Sequence, residues 1–138
     1  MDAESPGAQV AALPFRKRGK RIQILLITSR EAKRWIIPKG WPMVGLKDFN
    51  AAKREAFEEA GIKGRITKSA VGCYDYSKRQ GGGVVLPCNV VIYPLRVTSL
   101  LRTWMERHQR SRAWFEVAEA VNLVQEPGLK DIIRNFTP

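Results

Sequence analysis

The sequence predicts an α+β fold, and three observations predict it. Strand-like segments outnumber helical ones, no repeat with a period of about 20–50 residues is visible, and 138 residues set a single domain. An apolar fraction of 44% with Trp, Tyr and Phe all present supplies a core without staples. Residues 1–9, small side chains with Pro6 and Gly7 among them, are expected to form a flexible N-terminus, leaving one domain over 10–138. The aliphatic run Ile22-Gln23-Ile24-Leu25-Leu26-Ile27 reads as a buried strand, and Trp35-Ile36-Ile37 before Pro38 as another. Pro38 to Lys47, with Gly40, Pro42 and Gly45, reads as a loop. Asp48 is placed to cap a helix running to about Ala60, and Gly61 to end it. Strands are expected over Ile66 to Tyr76 and Val84 to Val97, the second interrupted by Pro87 and Pro94, with a polar, glycine-rich connection from Ser77 to Gly83. Trp114-Phe115 reads as a short last strand, followed by helices over Glu116 to Val124 and Gly128 to Phe136.

Charge narrows the partner. Twenty-four Lys and Arg against thirteen Asp and Glu leave +11, which predicts an anionic partner without choosing among nucleic acid, headgroups and polyphosphate metabolites. The basic residues fall in short clusters (16–21, 33–34, 78–79, 107–112) rather than one tail, and each cluster alone reads as a solvated turn. No window approaches the ~20 apolar residues of a membrane span, and the acidic start has no apolar stretch behind it. Cys73 and Cys88 form no C-x-x-C pair and read as two small core residues in a reducing compartment. A cytoplasmic protein is the expectation.

The segment Arg54-Glu55-Ala56-Phe57-Glu58-Glu59-Ala60-Gly61 carries three of the thirteen acids within five residues. On a helix, Phe49, Ala52, Ala56, Phe57 and Ala60 fall on an apolar side while Glu55, Glu58 and Glu59 share an arc of about 100°. Like charges three and four residues apart cost a few tenths of a kcal/mol per pair, roughly, unless a cation sits between them. Oxygen donors without His or Cys suit Mg²⁺, with Mn²⁺ as the alternative. The plain alternative is a solvated acidic face with Arg54 paired to Glu58.

Taken with Gly40, this segment resembles the Nudix box, G-x5-E-x7-R-E-U-x-E-E-x-G-U, in which U is a bulky aliphatic residue. Gly40, Arg54, Glu55, Glu58, Glu59, Gly61 and Ile62 match; Leu46 replaces the first Glu and Ala56 the first aliphatic residue. The resemblance implies an α/β/α sandwich around a mixed β-sheet and hydrolysis of a nucleoside diphosphate linked to another moiety. It implies that Glu55, Glu58, Glu59 and the Gly40 carbonyl hold the metal, with Arg54 orienting the glutamates. The general base is either a box glutamate or an acid from another loop, with Glu106 as candidate.

Lys39, Trp41 and Arg34 are candidate substrate-binding residues, and Tyr76 could stack on a base. His108, among arginines, and the Gly81-Gly82-Gly83 run read as surface features. The lead-in Pro38 to Pro42 and the late Trp114-Phe115 resemble the subgroup acting on diadenosine polyphosphates and diphosphoinositol polyphosphates, and +11 suits such long anions. Rival readings are a catalytically silent Nudix-fold domain binding nucleotide or RNA, and an RNA 5′-pyrophosphohydrolase. Nucleic acid is a possible but not a favoured partner, a membrane is not expected, and the oligomeric state is left open.

Overall fold

The computed structural model describes residues 7–79 and 81–138. Its centre is β1 (Ala8–Arg18), whose first part alternates between two cores: Ala11, Leu13 and Phe15 face one, Val10 and Ala12 the other. A strand covered on both faces is apolar almost without interruption, which is why period-two patterning did not reveal it. β1 pairs antiparallel with β2 (Arg21–Thr28) through a hairpin at Gly19, and parallel with β7 (Val85–Leu100). β2 also holds β3 (Trp35–Ile36) and β8 (Arg112–Glu116), while β7 holds β5 (Ile62–Ile66) and β6 (Gly72–Arg79). The result is one mixed eight-stranded sheet among the described residues.

Helix α1 (Asp48–Ala60) covers one face, packing Ala51, Ala52, Ala56 and Ala60 against Leu25, Ile27 and Leu95. Helices α2 (Val117–Leu123) and α3 (Pro127–Arg134) cover the other, where Val121, Leu129 and Ile133 meet Leu13, Ile24 and Ile92. This is the expected α/β/α sandwich. No helix is long and apolar enough to cross a membrane, among the described residues.

Several boundaries differ from expectation, each for a local reason. Ala8 and Gln9 belong to β1 rather than to a frayed terminus, because β7 supplies backbone partners from Asn89 onward; residues 1–6 lie outside the described residues. Within the expected loop, Lys39 and Gly40 form the two-residue strand β4 against Ala11 and Val10. The run from Ile66 to Tyr76 divides into β5 and β6, and β6 continues through Ser77 to Arg79, so the connection shrinks to a turn at 81–83. Asp48 opens α1 but does not cap it: Lys47 holds the N-cap position without a side-chain hydrogen bond. Phe57, expected on the core side, is 44% exposed, and Cys73 is exposed while Cys88 is buried.

Candidate active site

Positions 52, 56 and 59 of α1 lie one above another on the inward stripe, so the helix that buries Ala52 and Ala56 also carries Glu59 inside, 6% exposed. Glu55, one turn before it, is half-buried and lies against Gly40: a Cβ on Gly40 would stand 2.1 Å from Glu55 Oε2. That contact explains a glycine at position 40. Burial, together with a hydrogen bond to Glu55, pushes the Glu59 carboxyl up to about 8; burial also raises Glu55. The pair therefore holds a shared proton where a cation is absent.

The loop between β7 and β8 closes the site. Glu106 donates its backbone N–H to the Glu58 carbonyl (3.1 Å), and Trp104 Nε1 donates to the Glu59 carbonyl (2.9 Å). Arg112 Nη1 donates to the Ala60 carbonyl (2.6 Å), with its guanidinium over the Trp104 ring. The free carbonyls at the end of α1 are thus satisfied by this loop. Arg110 is enclosed, its side chain 7% exposed. Its Nε donates to Glu106 Oε1 (2.7 Å), Nη1 donates to the Thr28 carbonyl (3.1 Å), and Nη2 lies 3.7 Å from Glu59 Oε1. One guanidinium ties the candidate base to the buried carboxylate of α1. The sequence reading missed Arg110, which it placed in a basic cluster; the Glu106–Arg110 spacing of four was the available signal.

Glu55, Glu59 and Glu106 face an open cleft of about 1710 Å³. Its bases are Arg30, Arg34, Lys39, Lys78, Arg79 and Arg110. Its acids are Glu31, Glu55, Glu59, Asp75, Glu106 and Glu126. Six of each lining one cleft leave it formally neutral, so the +11 of the chain resides elsewhere. Lys39 stands 5.0 Å from the centre of the Tyr76 ring, and burial lowers its pKa despite Glu59 and Glu126 nearby. Tyr76 donates to Gln9 Oε1 (2.6 Å), which fixes the ring. Arg34 donates to Gln125 Oε1 (2.8 Å) and pairs with Glu126 (3.4 Å), and Trp41 lies on the rim.

Glu58 is placed differently. Its Oε2 pairs with Arg54 Nε at 3.2 Å on the exposed side of the helix. No group of three or more His, Cys, Asp or Glu side chains is gathered tightly enough to form a ready metal cage, among the described residues. The donor chemistry still fits a hard divalent cation: Glu55 and Glu59 are adjacent oxygen donors whose burial a cation would offset, and Glu58 is one helical step away. His108 is exposed and lies outside the cleft.

A mixed sheet clasped by helices, with helix carboxylates opening onto a cleft lined by Lys and Arg side chains, defines an α/β/α protein with oxygen donors grouped at one cleft. The chain belongs to the Nudix family, whose NUDIX domain matches residues 5–136. It is 35% identical over 118 residues to Nudix hydrolase 16, mitochondrial, of Arabidopsis thaliana, covering 83% of this chain and 65% of that one. It is 31% identical over 126 residues to diphosphoinositol polyphosphate phosphohydrolase 3-beta of Homo sapiens, covering 90% and 73%. The chain spans 59–65% of the length of the three Arabidopsis relatives it matches. The C. elegans Ap4A hydrolase superposes with a TM-score of 0.69 at 20% identity over 93% of both chains, a likeness of fold.

Proposed function

We propose that the chain is a divalent-metal-dependent hydrolase of a phosphoanhydride bond in a polyphosphorylated small molecule, either a diphosphoinositol polyphosphate or a dinucleoside polyphosphate. The observation that carries this reading is the convergence of Glu55, Glu59 and Glu106 on a cleft whose other walls present Arg34, Lys39, Lys78 and Arg79. Glu55, Glu58 and Glu59, with the Gly40 carbonyl, would hold Mg²⁺ or Mn²⁺, which supplies charge neutralisation on the phosphoryl oxygens and an activated water. Once the acids are engaged by cations, the formally neutral cleft becomes net basic, as a polyphosphate requires.

The protein's own groups have separable tasks. Lys39, desolvated against Tyr76, meets a phosphate as a fixed point charge, and Arg34 is held ready by Gln125 and Glu126. Glu106, hydrogen-bonded to Arg110, is positioned to take the proton of the attacking water; a box glutamate is the alternative base. Arg54 orients Glu58, and Trp41 at the rim covers the bound ligand. A cytoplasmic location belongs to this reading, resting on two free cysteines, although the Arabidopsis relatives are named mitochondrial.

The test is a substrate panel with Mg²⁺: a dinucleoside polyphosphate, a diphosphoinositol polyphosphate, nucleoside triphosphates, ADP-ribose and 5′-triphosphorylated RNA. The first two should be turned over with the highest kcat/KM, and Glu58→Gln and Glu59→Gln should each lower kcat by orders of magnitude while the fold persists. Best turnover of ADP-ribose or RNA would replace the substrate assignment; unimpaired activity in both variants would remove the metal assignment. Leu46 in place of the first box Glu and the engagement of Glu58 by Arg54 favour one rival, a silent binding domain. It predicts binding of the same ligands with no turnover.

A further inference from the structure

The charge missing from the cleft is concentrated at the opposite end of the sheet. β1 meets the cleft at Gln9 and ends at Arg18, about 30 Å away for an extended strand of this length. There the hairpin contributes Arg16, Lys17, Arg18, Lys20 and Arg21, while β7 and β5 contribute Arg96 and Arg65. Seven cations share this end. Register sets like charges face to face twice, Arg18 opposite Arg21 and Arg65 opposite Arg96, an arrangement that destabilises a sheet when nothing anionic lies between. Among the described residues the seven make one ion pair, Arg21 to Glu116 at 3.7 Å.

Two of the seven are held in place without being neutralised. The Arg16 guanidinium lies 4.1 Å from the centre of the Trp114 ring and donates to Gln23 Oε1 at 2.8 Å, an amide itself anchored by Glu116. The Arg96 guanidinium lies 5.0 Å from the Phe15 ring. Arg16 and Phe15 are successive residues of one strand, so the two stacked guanidiniums stand on opposite faces of the sheet and bracket its end. Stacking spends one face of each cation, and apart from the Arg16 Nε bond to Gln23 the guanidinium edges remain to donate outward. Five of the seven are Arg, whose planar fork matches phosphate, and among the described residues no exposed large apolar residue lies in the stretches 15–24, 62–66 and 95–100 to enter a bilayer.

We infer that this end of the sheet is a second binding surface, separate from the cleft, that takes the phosphate backbone of a single-stranded nucleic acid wrapping from one face of the β1–β2 hairpin to the other. It is independent of the reaction in the cleft. A flexible chain of phosphates reaches cations on both faces, which a flat headgroup layer does not.

The experiment is fluorescence anisotropy on the full chain with a 15-nucleotide single-stranded RNA bearing a 5′-hydroxyl, titrated from low to physiological salt. Arg16→Gln/Arg18→Gln and Arg65→Gln/Arg96→Gln should each weaken binding by about tenfold or more and flatten the salt dependence, with small-molecule turnover unchanged and the fold retained by circular dichroism. Lys39→Gln/Lys78→Gln, in the cleft, should leave RNA binding intact. Loss of binding in the cleft variant alone, or equal binding by wild type and both distal variants, overturns the proposal. Vesicles containing phosphatidylserine, bound through these arginines while RNA is not, would assign the surface to a membrane and overturn it as well.

Discussion

Glu59 is the residue on which the metal-free protein is most sensitive to pH. Its carboxyl titrates near 8 when folded, because burial disfavours the anion, against an ordinary value near 4.5. The folded state therefore binds this proton more tightly than the unfolded chain does, so stability falls as pH rises through the window between those two values. Chemical denaturation of metal-stripped protein across this window should show that decline, and Glu59→Gln should remove most of it. Adding Mg²⁺ at neutral pH should release protons, read as a dependence of calorimetric heat on the buffer's ionisation enthalpy. Arg110 is the complementary case. Arg110→Met leaves Glu106 without its 2.7 Å partner inside the protein and should cost about 3 kcal/mol in denaturant unfolding.

At the scale of elements, the C-terminal end of α1 and the loop that covers it behave as one unit. Gly61 ends the helix at φ 65°, sending its N–H back to the Ala56 and Phe57 carbonyls, and a Cβ there would stand 2.7 Å from Arg112 and 2.9 Å from Trp104. Gly61→Ala adds left-handed strain to that crowding and should lose about 1–3 kcal/mol. Because Trp104 and the Glu106 N–H are docked on the Glu59 and Glu58 carbonyls of this same helix end, activity should fall with stability rather than after it. Gly40→Ala tests the other side of the site: its Cβ collides with Glu55 rather than with the core, so turnover should drop well before Tm does. Leu46 is half-buried, so Leu46→Ala should cost less than the ~2–5 kcal/mol of a fully enclosed leucine.

Over the whole molecule, a balanced cleft contrasts with a sheet end that gathers seven of the 24 Lys and Arg residues. Self-repulsion at +11 should make Tm rise between 20 and 200 mM NaCl as the screening length contracts to less than about 10 Å. Arg65→Gln/Arg96→Gln should reduce that salt response by removing one of the two facing arginine pairs, whereas substitutions in the balanced cleft should not. Differential scanning fluorimetry at several salt concentrations distinguishes them.

Local chemistry made part of this legible in advance. The spacing from Gly40 to Ile62 specified α1, its carboxylates, its Gly61 terminus and the family, since helix periodicity and capping are properties of neighbouring residues. β2, β8 and the two closing helices were readable for the same reason. What lay beyond reach depended on distant pairing. β1 is a strand because β7 and β2 flank it; β5 and β6 part because they pair with different lengths of β7, Leu95–Leu100 and Val85–Ile92; Glu59 is buried because the sheet lies beneath that stripe of α1. Arg110 became part of the site, and Arg16 and Arg96 a bracket, only through partners 51, 98 and 81 positions away along the chain. Net charge is a sum over the whole sequence and carries no position. Tertiary structure alone decided that the largest group of unbalanced cations lies at the far end of the sheet rather than in the cleft.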